Sequence, residues 1–107
     1  MNAETKLMHE IREAINRDGR ARLVRCQVGY DPVNRVRYGN VGWPDLIGVL
    51  RDGRCFCVEV KTPNGRLSKE QKAFWIAARK WGVCGGSARS VDEAMALLEA
   101  ACAQPTR

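Results

Sequence analysis

Residues 42–61, GWPDLIGVLRDGRCFCVEVK, decide the fold. Two apolar runs, Leu46 to Leu50 and Cys55 to Val60, flank Arg51-Asp52-Gly53-Arg54, and an Asp-Gly pair between apolar runs is a strong hairpin signal. The stretch therefore predicts two antiparallel strands. Side chains two apart in a strand share a face, so Glu59 and Lys61 stand side by side, about 6 to 7 Å apart, with Val60 on the opposite face. The hairpin returns toward Asp45, which would bring a second carboxylate to the pair. The pairing register decides whether it arrives. A strict two-residue turn at Asp52-Gly53 sets Arg51 against Arg54 and Asp45 against Val60, the wrong face. Convergence requires either a one-residue bulge, for which Gly53 is suited, or an irregular strand entrance after Pro44.

Working outward, Leu7, Met8, Ile11, Ala14 and Ile15 recur at a 3.6-residue period and Asp18-Gly19 ends the pattern, which predicts a helix over residues 3–17. A first strand is expected from Arg22 to Val28, and the polar stretch Tyr30 to Gly42 reads as a loop or an irregular hairpin. After the central hairpin, Thr62-Pro63-Asn64-Gly65 is turn chemistry. Ser68-Lys69-Glu70-Gln71 has the form of a capping box ahead of Phe74, Trp75, Ala77, Ala78 and Trp81. A second helix follows and Gly82 stops it. A short strand from Val83 to Ala88 and a third helix opened by Ser90-Val91-Asp92-Glu93 complete the order α-β-β-β-α-β-α. The fold class is α/β, a mixed sheet of about four strands flanked by helices.

The 107 residues make room for one domain, residues 1–107. With 45% hydrophobic and 28% charged residues, the composition excludes a disordered or collagenous chain. No apolar run is long enough to span a bilayer and the N-terminus lacks a signal-peptide pattern, so a cytoplasmic protein with no membrane partner is expected. Eighteen Lys and Arg against twelve Asp and Glu leave a net charge of +6, which favours a polyanion, nucleic acid first. The five cysteines contain no C-x-x-C pair and His9 is the single histidine, which excludes a zinc module and points to reduced, structural thiols. His9 reads as a surface or helix-edge residue.

Two carboxylates beside a lysine suit phosphodiester hydrolysis. Oxygen ligands hold Mg²⁺, and an ammonium orients a water or offsets charge on a phosphate. Asp45, fourteen residues before Glu59-x-Lys61, resembles the core of the PD-(D/E)XK nucleases, with Pro44-Asp45 as the leading dipeptide. The wider set, Gly42-x-Pro44-Asp45-Leu46, Val58-Glu59-Val60-Lys61, Gly65-x-Leu67-Ser68-x-x-Gln71, Gly82 and Ser90-Val91-Asp92-Glu93, resembles the VRR-NUC family in its small stand-alone form found in phages. The likeness runs from about Glu4 to Leu98.

The resemblance implies a restriction-endonuclease-like core. It also implies an endonuclease dependent on Mg²⁺ or Mn²⁺, with no organic cofactor, acting in a bacterial or phage-infected cell. The DNA would be branched, four-way junctions or flaps of the kind met in DNA repair. It makes Asp45, Glu59 and the Val60 carbonyl metal ligands, Lys61 the catalytic lysine, and Gln71 an active-site residue; a plain helix cap for Gln71 stays open. A helix-1 glutamate also belongs to the pattern. Glu4 continues the buried stripe where Glu10 does not, and either meets the metal through water or merely favours the helix start. Arg35, Arg37, Arg66 and Lys69 flank the cluster in sequence and are expected to contact phosphates. Symmetric cutting of a junction would need a homodimer, with Trp43, Trp75 and Trp81 as candidates for its face. The alternatives are a non-catalytic nucleic-acid-binding module, for which two acids facing a polyanion have no use, and a nuclease subunit of a larger complex.

Overall fold

The structure, a computed structural model, describes residues 2–26, 29–38 and 41–104. Helix α1 spans Ala3–Asp18. Asn2 caps its start by accepting the Thr5 N–H at 2.8 Å, and the Gly19 N–H closes its end on the Ile15 carbonyl. Strand β1 (Ala21–Arg25) follows, shorter than the expected run to Val28; Gln27 and Val28 lie outside the described residues. Strands β2 (Gly29–Asp31) and β3 (Val36–Tyr38) form a small separate hairpin where a loop or irregular hairpin was expected. Strands β4 (Leu46–Leu50) and β5 (Cys55–Val60) keep the expected bounds. Helix α2 (Lys69–Lys80), strand β6 (Cys84–Ala88) and helix α3 (Val91–Ala103) close the chain.

The main sheet has the order β1-β4-β5-β6, antiparallel except for the β5–β6 pair, which α2 connects. One face is the core. Leu23, Leu46, Leu50, Phe56, Val58, Val60 and Ala88 lie buried there, under Met8, Ile11 and Ile15 of α1 and Ala94, Leu98 and Ala101 of α3. Each set follows the period of its element, which is why the helices settle on this face. On the other face α2 covers Cys57 with Trp75 and Ala78, and Ile47, Phe74 and Val83 border the contact. Cover is incomplete, and Val49 remains half exposed.

The register answers the question that the sequence raised. Val49 pairs with Cys55 and Leu46 with Val58, and the Leu50 N–H donates to the Arg54 carbonyl at 2.8 Å. The connection therefore has three residues, Arg51, Asp52 and Gly53, with Gly53 at φ 94°, the left-handed conformation of a turn bulge. Carried two residues further, this register sets Asp45 against Glu59 and Pro44 against Val60. The bulge moves Asp45 onto the face of Glu59.

Candidate active site

The open end of the β4–β5 pair gathers the acidic side chains. The backbone pairing stops at Leu46, since Pro44 has no N–H to offer the Val60 carbonyl, and the Val60 N–H goes to a side chain instead: Asp45 Oδ2 accepts it at 2.8 Å. The Asp45 carbonyl accepts the Cys26 N–H at 2.7 Å, which ties the same residue to β1. Both expected features, the bulge and the irregular entrance at Pro44, are present.

Glu59 is 1% exposed and is the buried charged residue of the described core. Its Oε1 accepts the Gln71 amide N–H at 3.1 Å, while its Oε2 meets no donor among the described residues. Burial pushes the Glu59 carboxyl up to about 9. Asp45 adds to the rise, as acceptor for the protonated acid and as a like charge; Lys61 opposes it and Glu4 adds a little. Cys26 belongs to the same surroundings, its thiol raised by burial and by the Asp45 and Glu59 charges.

Gln71 does two things at once. Its carbonyl accepts the Ser68 N–H at 2.8 Å and its own N–H donates to Ser68 Oγ at 3.1 Å, a complete capping box, and the remaining amide nitrogen reaches Glu59. The cap and the contact with the acidic cluster are not alternatives. Glu4, in the first turn of α1, lines a cleft of about 70 Å³ with Thr5, Met8, Arg25 and Asp45, so it faces the cluster; Glu10 is exposed elsewhere on the helix. Lys61 is half buried, and its backbone N–H donates to the Ala88 carbonyl at 3.0 Å.

The basic residues spread more widely. Arg66 and Lys69 are exposed between β5 and α2, and Arg35, at φ 54°, is exposed in the turn between β2 and β3. The side chain of Arg37 lies outside the described residues. His9 sits half buried on α1, with Nδ1 3.3 Å from Arg12 Nη2 and no place in the cluster.

Among the described residues no group of three or more His, Cys, Asp and Glu is disposed to hold an ion. What the site offers a cation is two carboxylates, one of them with an oxygen that no donor among the described residues reaches. A hard cation that keeps several waters fits such a set, because water completes its shell. The orphaned Glu59 Oε2 is the feature that a proton or a cation would relieve. All five cysteines are free, and no helix among the described residues is long and apolar enough to cross a membrane.

Two features were not read from the sequence. Cys26 reaches the acids through β1–β4 pairing, a long-range contact with no local signal. Beside the site, an apolar groove of about 380 Å³ opens between α2 and the segment before Asp45, lined by Trp43, Ile47, Cys57, Phe74, Trp81 and Val83. Trp43 is 45% and Trp81 85% exposed, whereas Trp75 is buried, so only the first two of the three tryptophans are on the surface.

Residues 1–92 match the family model described as the VRR-NUC domain. A solved structure described as a VRR_NUC domain shares the fold with a TM-score of 0.69, over 92% of this chain and 97% of its own, at 22% identity. No curated protein matches the chain.

Proposed function

The chain belongs to the VRR-NUC family, which implies a nuclease of the PD-(D/E)XK type, and on that premise we propose a divalent-metal-dependent endonuclease that hydrolyses phosphodiester bonds in branched DNA. The observation that carries the reading is the buried Glu59 carboxylate beside Asp45, with an oxygen that finds no donor among the described residues where the chain could have placed an apolar side chain. A purely structural strand end has no reason to hold two acids together, and neither does a module that only binds a polyanion.

In this reading Asp45, Glu59 and the Val60 carbonyl would hold Mg²⁺ or Mn²⁺, with Glu4 acting through water. The ion would polarise the phosphate and lower the pKa of a bound water. The chain's own residues do the rest. The Val60 N–H fixes one Asp45 oxygen, which leaves the other to turn toward the site. Gln71 holds Glu59 Oε1 and so sets the plane of that carboxylate. Lys61 offsets charge on the phosphate and orients the attacking water. Arg35, Arg37, Arg66 and Lys69 hold the backbone without reading sequence.

The preference for four-way junctions or flaps, a place in DNA repair, and a two-fold homodimer belong to the same proposal. The dimer is supported by the exposed tryptophans around the apolar groove, a surface suited to a second copy. The test is a cleavage assay on single-stranded, duplex, flap and four-way DNA, with Mg²⁺, Mn²⁺ or neither. Cutting that needs the ion and is fastest on branched substrates is expected. No cutting of any substrate with either ion would overturn the reading, and equal cutting of linear duplex would remove the structural preference.

A further inference from the structure

The 62–65 turn follows Lys61 directly and closes on itself, the Gly65 N–H donating to the Thr62 carbonyl at 2.9 Å. Three of its carbonyls converge on one side chain from the far end of β6. Arg89 Nη1 lies 2.6 Å from the Thr62 carbonyl oxygen, 2.6 Å from that of Gly65 and 3.3 Å from that of Pro63. A guanidinium nitrogen suits this work, because it carries two N–H donors on a long side chain and stays charged. The Arg89 backbone is itself tied down, its N–H donating to Glu93 Oε1 at 2.8 Å in the first turn of α3.

The turn in turn backs the lysine. A Cβ at Gly65 would lie 3.4 Å from Lys61 Cδ, an ordinary contact distance, and 3.2 Å from Thr62 Oγ1, so the turn passes beside the Lys61 stem and an added methyl there would touch it. The Lys61 N–H is bound by the carbonyl of Ala88, the neighbour of Arg89. The end of β6 thus bears on Lys61 by two routes, directly on its backbone through Ala88, and at one remove on its side chain, through the turn that Arg89 holds beside it. We propose that Arg89 is a positioning residue for Lys61, clamping the 62–65 turn whose Gly65 backs the lysine stem.

The catalytic consequence rests on the nuclease reading above; the clamp does not. Displacing a reacting group by an ångström is enough to slow a reaction by about a hundredfold, so loss of the clamp acts on the rate of cutting and not on DNA affinity. The contacts run to one Arg89 nitrogen, so a lysine ammonium can reproduce the donors, but on a shorter side chain that reaches only part of the set.

The experiment compares the full-length chain with Arg89→Gln, Arg89→Lys and Gly65→Ala, each checked for folding by thermal melting. Reductive methylation of lysines, read by mass spectrometry, reports how accessible the Lys61 amine is relative to Lys6 and Lys80, exposed on α1 and at the end of α2. Single-turnover cleavage in Mg²⁺ and four-way-junction binding in Ca²⁺ are measured in parallel. Arg89→Gln should speed Lys61 methylation severalfold and slow cleavage by about tenfold or more, with affinity unchanged within about twofold. Arg89→Lys should recover part of both losses. Gly65→Ala, which keeps Arg89, should alter Lys61 methylation and slow cleavage as well, and it decides the question if Arg89→Gln does not fold. Wild-type methylation of Lys61 in folded variants would overturn the clamp, and a loss confined to DNA affinity would overturn its action on the rate. If the wild type cuts no DNA, the nuclease reading fails, and the methylation comparison still tells whether Arg89 holds Lys61.

Discussion

Asp45 Oδ2 accepts the backbone N–H of Val60 at 2.8 Å, so a side-chain oxygen stands where the strand partner's carbonyl would otherwise accept. The bond joins the two strands that carry the acidic pair at the very point where their regular pairing ends. It gives Asp45 a fixed orientation, which an ion-binding carboxylate needs before the ion arrives.

Asp45→Asn, Glu59→Gln and Lys61→Ala should each lower cleavage by about a thousandfold or more while the variants fold and bind DNA. The two carboxylate variants should also lose Mn²⁺ binding in calorimetry, whereas Lys61→Ala should keep it. Full activity in any folded variant would remove that residue from the mechanism.

The two jobs of Gln71 separate in a pair of variants. Glutamate at this position still completes a capping box, so Gln71→Glu should keep most of the melting temperature while losing the N–H offered to Glu59. Gln71→Ala loses both and should cost about 0.5–2 kcal/mol of stability, the usual worth of a cap. If the residue is only a cap, Gln71→Glu will cut DNA at the wild-type rate.

Burial of Glu59 makes a prediction about pH. Its carboxyl is pushed from 4.5 up to about 9, so across that interval the folded chain holds a proton that the unfolded chain has released. Metal-free stability should therefore be greatest at and below the lower value, fall as the pH rises through the interval, and level off above it. Melting curves in EDTA should show this decline, Glu59→Gln should flatten it, and Mg²⁺ should raise the melting temperature of the wild type most at the alkaline end. A wild-type profile as flat as that of the variant would refute the burial argument.

For Arg66 and Lys69, exposed between β5 and α2, neutralisation should weaken binding to all sequences alike and reduce the salt slope by about one unit per phosphate contact. Arg35 and Arg37 are expected to behave in the same way. An unchanged slope in the Arg66, Lys69 double variant would return both to an ordinary solvated surface.

How much of this could be read without coordinates depends on the range of each interaction. β4 and β5 were legible to the residue because apolar runs and an Asp-Gly turn are local signals. The starts of α2 and α3 were legible because Ser68 and Ser90 cap them through neighbours three residues away. The β2–β3 hairpin was legible only as a loop or an irregular hairpin, since strands of three residues are too short to show an alternating pattern. Within the site, the Asp45, Glu59 and Lys61 set followed from spacing and family likeness, but their common face hung on a register that strand patterning leaves open. Gln71 looked like a choice between two roles because a pattern cannot show that one amide has an atom for each. Arg89 reaches across 24 to 27 residues of chain to the 62–65 turn, and nothing around Ser90 announces it.

The bulge at Gly53 sets the chemistry of the opposite end of the hairpin. A Cβ at Gly53 would meet nothing within 4 Å, and the residue is six positions from Glu59, about 20 Å along the strand. Yet its left-handed backbone keeps the strand count odd across the turn. If the chain slipped by one residue to the two-residue alternative, the face of the sheet that carries Glu59 would carry Val60 opposite Asp45 instead. A search for important positions by closeness to the acids would pass over Gly53, and a β-branched residue there would harm activity without touching anything that reacts.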